Sequence, residues 1–491
     1  MLLVAGFLVL CGWWLASDGR VPDFDTAKHV GWALDIRDAF VRGDPGYWFN
    51  SFTAYPPLVH TVGGIGQLVG GVGIPSAVLA ADLVFVPLLG LSLYQLGWRL
   101  GGGVTGTLAV IFALGAPLMV AQAHVFVLEL PETALVAAAL WGLIASEGFS
   151  RQGPSLCAGI ACGLGMLTKP TFPFFVAGAL AVVLFRGGRR ERRGLVMFIG
   201  GALVVGAPWY LRHVGRLGQT ISYATAPPRP PRFSLSNASW FAWDQINGQL
   251  FLPFFLLTVI GALDSVSRWR GGWGQGDYTP ELVIGGAVAY LGLTYGMSLH
   301  APYYSLPALA YEALLATVWV PRVSRKLRVG AAIAICLAAG LNIIAVGVHS
   351  LGRVSIRAPG QVPQGFIQPR RFTLLRSYSW PVGPPQGDGR LLDVFRALRA
   401  RGFRQLEVQA ASNQIDFDVT GVVLMARIAG LRRPPGYAPE QLGSDAVFVL
   451  RATAPTPWPA CRHLSDGSAV LVLARHRGSP RGWVSACPSR A

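Results

Sequence analysis

The sequence predicts an α-helical polytopic membrane protein with about eleven transmembrane helices, a long first external loop and a small C-terminal α/β domain outside the membrane. Three observations support that fold class. Of 491 residues 52% are hydrophobic and 13% are charged, with a mean hydropathy of +0.46, whereas an ordinary soluble domain carries about 25% charged residues. Apolar stretches of spanning length recur between polar breaks. Past residue 348 that pattern gives way to shorter helical and alternating segments.

The stretches lie near 1–17, 76–97, 104–122, 131–147, 154–168, 170–186, 195–211, 249–263, 281–298, 304–320 and 328–348. The first lacks a basic leader and a clear small-x-small cleavage site before Asp18, so it reads as a retained helix, with a cleaved signal peptide as the alternative. The net charge of +17 sits largely in arginines at the ends of apolar runs, which is how membrane orientation is encoded. No aromatic-and-basic face suggests nucleic acid. The short arginine-rich loops 186–194 and 321–328 place themselves in the cytoplasm. Residues 18–75, 123–130, 212–248, 299–303 and 349–491 then lie on the external side, although Arg212, Arg216, Arg229 and Arg232 in the third of these count against the rule unless they meet an external anion.

Cys11, Cys157, Cys162 and Cys336 fall in apolar spans, where cysteine is usually a small packing residue. Cys461 and Cys487 fall in the tail, and in an oxidising compartment they are expected to form a disulfide. Residues 1–348 thus read as the membrane domain, 349–371 as a proline-rich linker and 372–491 as the α/β domain. In the tail, 390–411 has helical spacing followed by strand-like alternation, and 446–452 and 469–476 read as strands. No internal repeat is visible.

The loop 18–75 is too long for a connector, and loops of that kind usually carry function. Its "DIRDAFVRGDPGYWF" and "TAYPPLVHTVGGIG" suggest helices lying along the membrane surface. Its opening, "VPDFDTAKHV", concentrates charge where the first helix leaves the lipid. Asp25 and His29 share a helix face, with Lys28 beside them. A carboxylate near cations at an interface can take a proton from a hydroxyl while the cations attract an anionic leaving group. The alternative is a solvated cap, with Asp23 or Asp25 serving the helix N-terminus.

Lysine usage adds an independent observation. Of 41 basic residues only Lys28, Lys169 and Lys326 are lysine. A compact ammonium suits a phosphate contact that arginine's planar fork cannot copy. Lys169, at a helix end, would otherwise snorkel to headgroups. Glu129 and Glu132 flank Pro131 at a helix start, where they either cap the helix or bind sugar hydroxyls and orient an acceptor. The histidines His60, His124 and His213 are candidate donors to a phosphate or sugar, with structural packing as the alternative. Their spacing does not suggest a metal site.

"DTAKH" after the first helix, "YPPL" (55–58), "ELPETALVAAALWGL" (129–143), "GLGMLTKPTFPFF" (163–175) and "APWYLRHVGRLG" (207–218) occur in this order along roughly residues 1–320. Together they resemble the motifs of the C-type membrane glycosyltransferases, which use polyprenyl-phosphate sugars and include protein O-mannosyltransferases and the lipid A aminoarabinose transferase. Two departures stand out. Asp25-Thr26 replaces the family's Asp-Glu, and "HAPYYSLPALA" (300–310) offers His300 and Tyr303-Tyr304 where a basic pair is common. "DFD" at 23–25 superficially matches the D-x-D of metal-dependent transferases.

The resemblance implies an inverting transferase that moves a sugar from a polyprenyl-phosphate donor to a hydroxyl of an envelope glycolipid, glycan or protein. It would sit among the lipids of a bacterial cytoplasmic membrane and act on the periplasmic side. Asp25 would be the catalytic base. Glu132, Glu129, Asp23, His29 and Tyr55 would bind acceptor or sugar. Lys169, Arg212, Lys28, Tyr303 and Tyr304 would meet the donor phosphate. Neither a soluble cofactor nor a divalent metal is expected, and nucleic acid is not a partner. A transporter should instead show repeated halves and mid-membrane charges, and a non-catalytic envelope scaffold gives no reason for acid and base at several external helix ends.

Overall fold

A computed structural model describes residues 1–50, 55–187, 191–225, 233–269, 278–297, 300–348, 351–358, 371–376, 390–403, 419–431, 446–452, 462–463, 469–475 and 484–485, with the backbone course alone for 216–225 and for most residues from 446 on. Helix α1 (Leu2–Ser17) is followed by three helices within the first loop: α2 (Phe24–Arg42), α3 (Gly46–Asn50) and α4 (Leu58–Val69). Gly43 ends α2 at φ 68, a left-handed conformation in which its amide reaches the Ala39 and Phe40 carbonyls and which glycine adopts without a Cβ penalty. The loop is therefore helical over the two stretches where helices are expected.

The second and third apolar stretches form one long element, α5 (Ile74–Gly115), broken by non-helical dihedrals at Gly101 and Gly102. The rest of the third continues as α6 (Pro117–Gln122), started by a proline whose missing N–H is no loss at that position. Then come α7 (Glu129–Ala145), α8 (Gln152–Met166), α9 (Phe172–Gly187), α10 (Arg192–Thr225), α11 (Leu235–Asp244), α12 (Phe251–Trp269), α13 (Thr279–Gly296), α14 (Leu309–Val318) and α15 (Arg325–Asn342). A 3-10 segment, Pro302–Ala308, leads into α14. Pi-helical turns occupy Gln245–Gln249 and Ile343–Val348.

Among the described residues four helical stretches are long and apolar enough to cross a bilayer: 74–115, 192–215, 251–269 and 325–348. They support a polytopic helical chain, and the expected count of eleven goes beyond them. Exposed apolar side chains such as Val204, Leu211 and Leu337 are what a lipid-facing surface requires. By contrast α7 and α14 are buried on nearly every side, as befits helices apolar all round. Helix α7 lies among α5, α8, α9 and the 3-10 segment, so its two N-terminal glutamates are carried into the interior. A Cβ on Gly159 of α8 would meet the Phe198 carbonyl of α10 at 2.1 Å, the close small-residue packing by which membrane helices associate.

Two stretches differ from expectation. Residues 212–225, read as the start of an external loop, continue α10, because the isolated Gly215 and Gly218 weaken a helix without ending it and no proline falls between Pro208 and Pro227. Strand β1 (Val354–Arg357) lies inside the stretch read as linker and pairs antiparallel with β2 (Arg371–Leu375). The prolines of that stretch begin only at Pro359, and "RVSIR" before it is strand-compatible. The Thr373 amide of β2 donates to Asn247 Oδ1 at 2.8 Å, docking the pair on the first pi-helical turn.

Farther on are α16 (Arg390–Ala400), α17 (Val419–Ile428), β3 (Ala446–Ala452), β4 (Arg462–His463), β5 (Ala469–Arg475) and β6 (Val484–Ser485). Strand β5 pairs antiparallel with β3, β4 and β6. The helix expected from 390 and the strands expected at 446–452 and 469–476 are thus present. The strand-like run after 403, and Cys461 and Cys487 with their expected disulfide, lie outside the described residues.

Candidate active site

The start of α2 shows which aspartate caps the helix. The Thr26 amide donates to Asp23 Oδ1 at 2.9 Å and its hydroxyl to Oδ2 at 3.1 Å, so Asp23 is the N-cap. Burial pushes the Asp23 carboxyl above its ordinary range against the pull of the Thr26 amide. Asp25, two residues on, is released from capping, and the Tyr303 hydroxyl donates to its Oδ2. Its other oxygen takes no hydrogen bond from any described residue.

The same face of α2 carries Lys28, His29 and Trp32. The Lys28 ammonium lies over the Trp32 ring at 4.9 Å and the Phe24 ring at 5.4 Å, a cation–π arrangement. Burial lowers its pKa and Asp25 opposes that. His29 Nδ1 is 2.8 Å from Nε2 of His60 on α4. Burial, then His60, Lys28 and Lys169, hold His29 well below the usual imidazole range. Burial brings His60 to about 3, so this pair is neutral. The Tyr55 ring packs 5.3 Å from His29.

A second group comes from α7 and the turn between α8 and α9. The Lys169 ammonium donates to Glu129 Oε1 at 2.5 Å, and both side chains are 4% exposed. Lys169 therefore does not snorkel. Two charges removed this far from water persist when each satisfies the other. The ammonium also lies 4.0 Å over the Tyr304 ring, and Tyr304 and Tyr55 are hydrogen-bonded through their side chains. Glu132 Oε1 accepts the Thr171 hydroxyl at 2.8 Å. The adjacent tyrosines Tyr303 and Tyr304, with rings 5.1 Å apart, link the two groups: Asp25 to Tyr303 on one side, Tyr304 to Lys169 and Glu129 on the other.

Arg212 is not part of this array. It is exposed on α10 and donates to Asn50 Oδ1 of α3 at 3.1 Å, and among the described residues no ion pair joins it to Asp25, Glu129 or Glu132. His300 stacks on Trp240 at 4.3 Å and bonds Asn237 Oδ1 at 2.7 Å, which anchors the chain just before the 3-10 segment. His124 stacks on Trp14 at 4.2 Å, and His213 packs on Trp209 at 4.5 Å. Both act as packing residues. Thr171 and Trp32 escaped sequence reasoning. Thr171 stands two residues beyond Lys169, and Trp32 follows Lys28 at i+4, but hydroxyl and indole side chains are too common to mark a site by spacing. Among the described residues no cluster of three His, Cys, Asp or Glu side chains could hold a metal.

Residues 55–210 match the family described as dolichyl-phosphate-mannose-protein mannosyltransferase. ArnT from Cupriavidus metallidurans in its apo state superposes with a TM-score of 0.61 at 16% identity, over 91% of this chain and 92% of that one. The same protein bound to undecaprenyl phosphate gives 0.58 at 18% identity over the same shares. The chain thus shares the fold of ArnT over nine-tenths of its length, and about a third of it matches the mannosyltransferase family. No curated protein is similar enough in sequence to count as a match. The family match begins at Tyr55 and ends at Tyr210, so it contains Glu129, Glu132, Lys169 and Thr171 but neither the Asp25 helix nor the Tyr303 segment. The glycosyltransferase-like fold brings these outlying pieces onto the matched core.

The arrangement brings a carboxylate with one oxygen that takes no hydrogen bond among the described residues, a hydroxyl that holds its other oxygen, and a buried cation paired with Glu129 beneath a tyrosine ring into one array. Such a set can accept a proton at one end and stabilise an anionic oxygen at the other.

Proposed function

We propose that this protein transfers a sugar, with inversion, from a polyprenyl-phosphate donor to a hydroxyl of an envelope lipid, glycan or protein on the external face of a bacterial cytoplasmic membrane. The observation that carries the reading is Asp25, relieved of capping by Asp23 and tied through Tyr303 to the Lys169 group. Asp25 takes the acceptor's proton as the acceptor oxygen bonds to the anomeric carbon. The bond from that carbon to the phosphate oxygen breaks, and its electron pair leaves with polyprenyl phosphate. Lys169, with Lys28 nearby, meets the charge that develops on the leaving phosphate. Glu132 and Tyr55 offer hydrogen bonds to sugar or acceptor hydroxyls. The related fold of ArnT with undecaprenyl phosphate supports a lipid-phosphate donor. The reading includes no metal and no soluble cofactor.

The test is a reconstituted assay with purified polyprenyl-phosphate sugars. Release of polyprenyl phosphate that depends on the lipid-linked donor and persists in EDTA is expected. Activity with a nucleotide sugar alone would overturn the donor assignment, and loss in EDTA restored by a divalent ion would overturn the metal-free one. Mass spectrometry of envelope glycolipids and glycoproteins, with and without the gene, identifies the acceptor.

A further inference from the structure

The C-terminal segment grips the helix that carries Asp25 at two points on either side of its chemical face. At the first, Gly421 of α17 lies so close to the chain before the Asp23 cap that a Cβ there would stand 2.1 Å from the Pro22 carbonyl oxygen. Val21 is buried with Val422, Met425 and Ala426 of α17 and with Leu391 and Phe395 of α16. At the second, the Arg427 guanidinium lies 2.6 Å from Asp35 Oδ1 and 3.3 Å from Asp38 Oδ2, and donates to the Gly31 carbonyl at 3.3 Å. Asp25, Lys28 and His29 fall between these grips. Leu424, on the same helix, is buried in the main membrane-domain core, so α17 bridges α2 to the body of the protein.

We propose that α17 is a clamp that fixes α2, and with it the Asp25 carboxylate, with Arg427 and Gly421 as positioning residues. The catalytic consequence rests on the reading of Asp25 as the base. Helix α4 holds one side of α2, through the His29–His60 pair and the close approach of Gly64 to the Ala33 carbonyl, and α17 adds a hold at each end of the stretch that carries Asp25, Lys28 and His29. A displacement near 1 Å at a reacting group is enough to cost about a hundredfold in rate. The aspartates at 35 and 38 lie one turn apart and share Nη2 of the guanidinium, while Nη1 donates to the Gly31 carbonyl, a planar two-nitrogen arrangement that an ammonium does not copy.

The experiment compares full-length Arg427→Ala, Arg427→Lys and Gly421→Val with the parent in lipid nanodiscs, by steady-state kinetics and by hydrogen–deuterium exchange. In Arg427→Ala and Gly421→Val, kcat is expected to fall at least tenfold with the donor KM within twofold. Amides of α2 should exchange faster while those of α5 do not, and Arg427→Lys should recover part of both effects. Unchanged exchange in α2 overturns the clamp whatever the turnover. A raised KM at parental kcat also overturns it, in favour of a tail that binds substrate. Because exchange is read without the reaction, a parent that releases no polyprenyl phosphate refutes the transferase reading separately from the clamp.

Discussion

Asp25→Asn separates catalysis from architecture more sharply than any other substitution in this protein. Asparagine keeps the shape and the oxygen that accepts from Tyr303, and Asp23 with its two Thr26 bonds still caps α2. The structural loss is one negative charge in the first turn of α2, worth about 0.3–1 kcal/mol at a helix N-terminus. The catalytic loss is that of a general base, about 10²- to 10⁴-fold, or roughly 3–5 kcal/mol of barrier at 1.36 kcal/mol per decade. The second effect exceeds the first several-fold. Turnover should therefore fall at least a hundredfold while the detergent-solubilised protein melts within a few degrees of the parent. The assay is polyprenyl phosphate release with melting followed in parallel. Asp23→Asn is the matched control: an equally favoured cap, it should keep most activity. Full turnover by a well-folded Asp25→Asn protein would refute the base assignment, and loss in Asp23→Asn equal to that in Asp25→Asn would show that the two carboxylates act together.

Lys169→Met leaves Glu129 buried without its partner, which for buried pairs costs about 3–5 kcal/mol; melting should show the loss, and adding Glu129→Gln should restore stability without restoring donor binding. His29 and His60 have folded pKa values below their ordinary 6.5, so as pH falls below that value the unfolded chain gains protons that the folded one refuses. Their contribution to stability is therefore complete above about pH 6.5 and is lost on acidification, by about 2 kcal/mol at pH 5 for His60 alone, and His60→Gln should lessen the fall of the melting temperature between pH 7 and 5, with the His29 share remaining. If Cys461 and Cys487 form the expected disulfide, impermeant thiol reagents on intact cells should label neither until a reductant is added; ready labelling of both would exclude it.

The sequence by itself determined the solvent of each segment. Hydropathy along the chain marks apolar runs of spanning length, alternation marks β3 and β5, and the cluster at 23–29 marks a concentration of charge after the first helix, because each of these signals is local. It could not tell Asp23 from Asp25 as the cap, since both are favoured residues near the same helix start and the choice turns on whether Thr26 reaches back to one of them. Nor could it pair Lys169 with Glu129, forty residues away, or set Tyr303 against Asp25 from the far end of the membrane domain. Arg212 shows the converse: its motif is legible in the sequence, yet α10 runs on and carries the side chain to Asn50. Arg427 left no signal, because an arginine in a short tail helix is ordinary until folding sets it against two aspartates nearly four hundred positions earlier. Burial and periodicity are written in neighbouring residues, whereas a charge acquires its partner only when helices distant in sequence pack together, and that packing is a property of the whole chain.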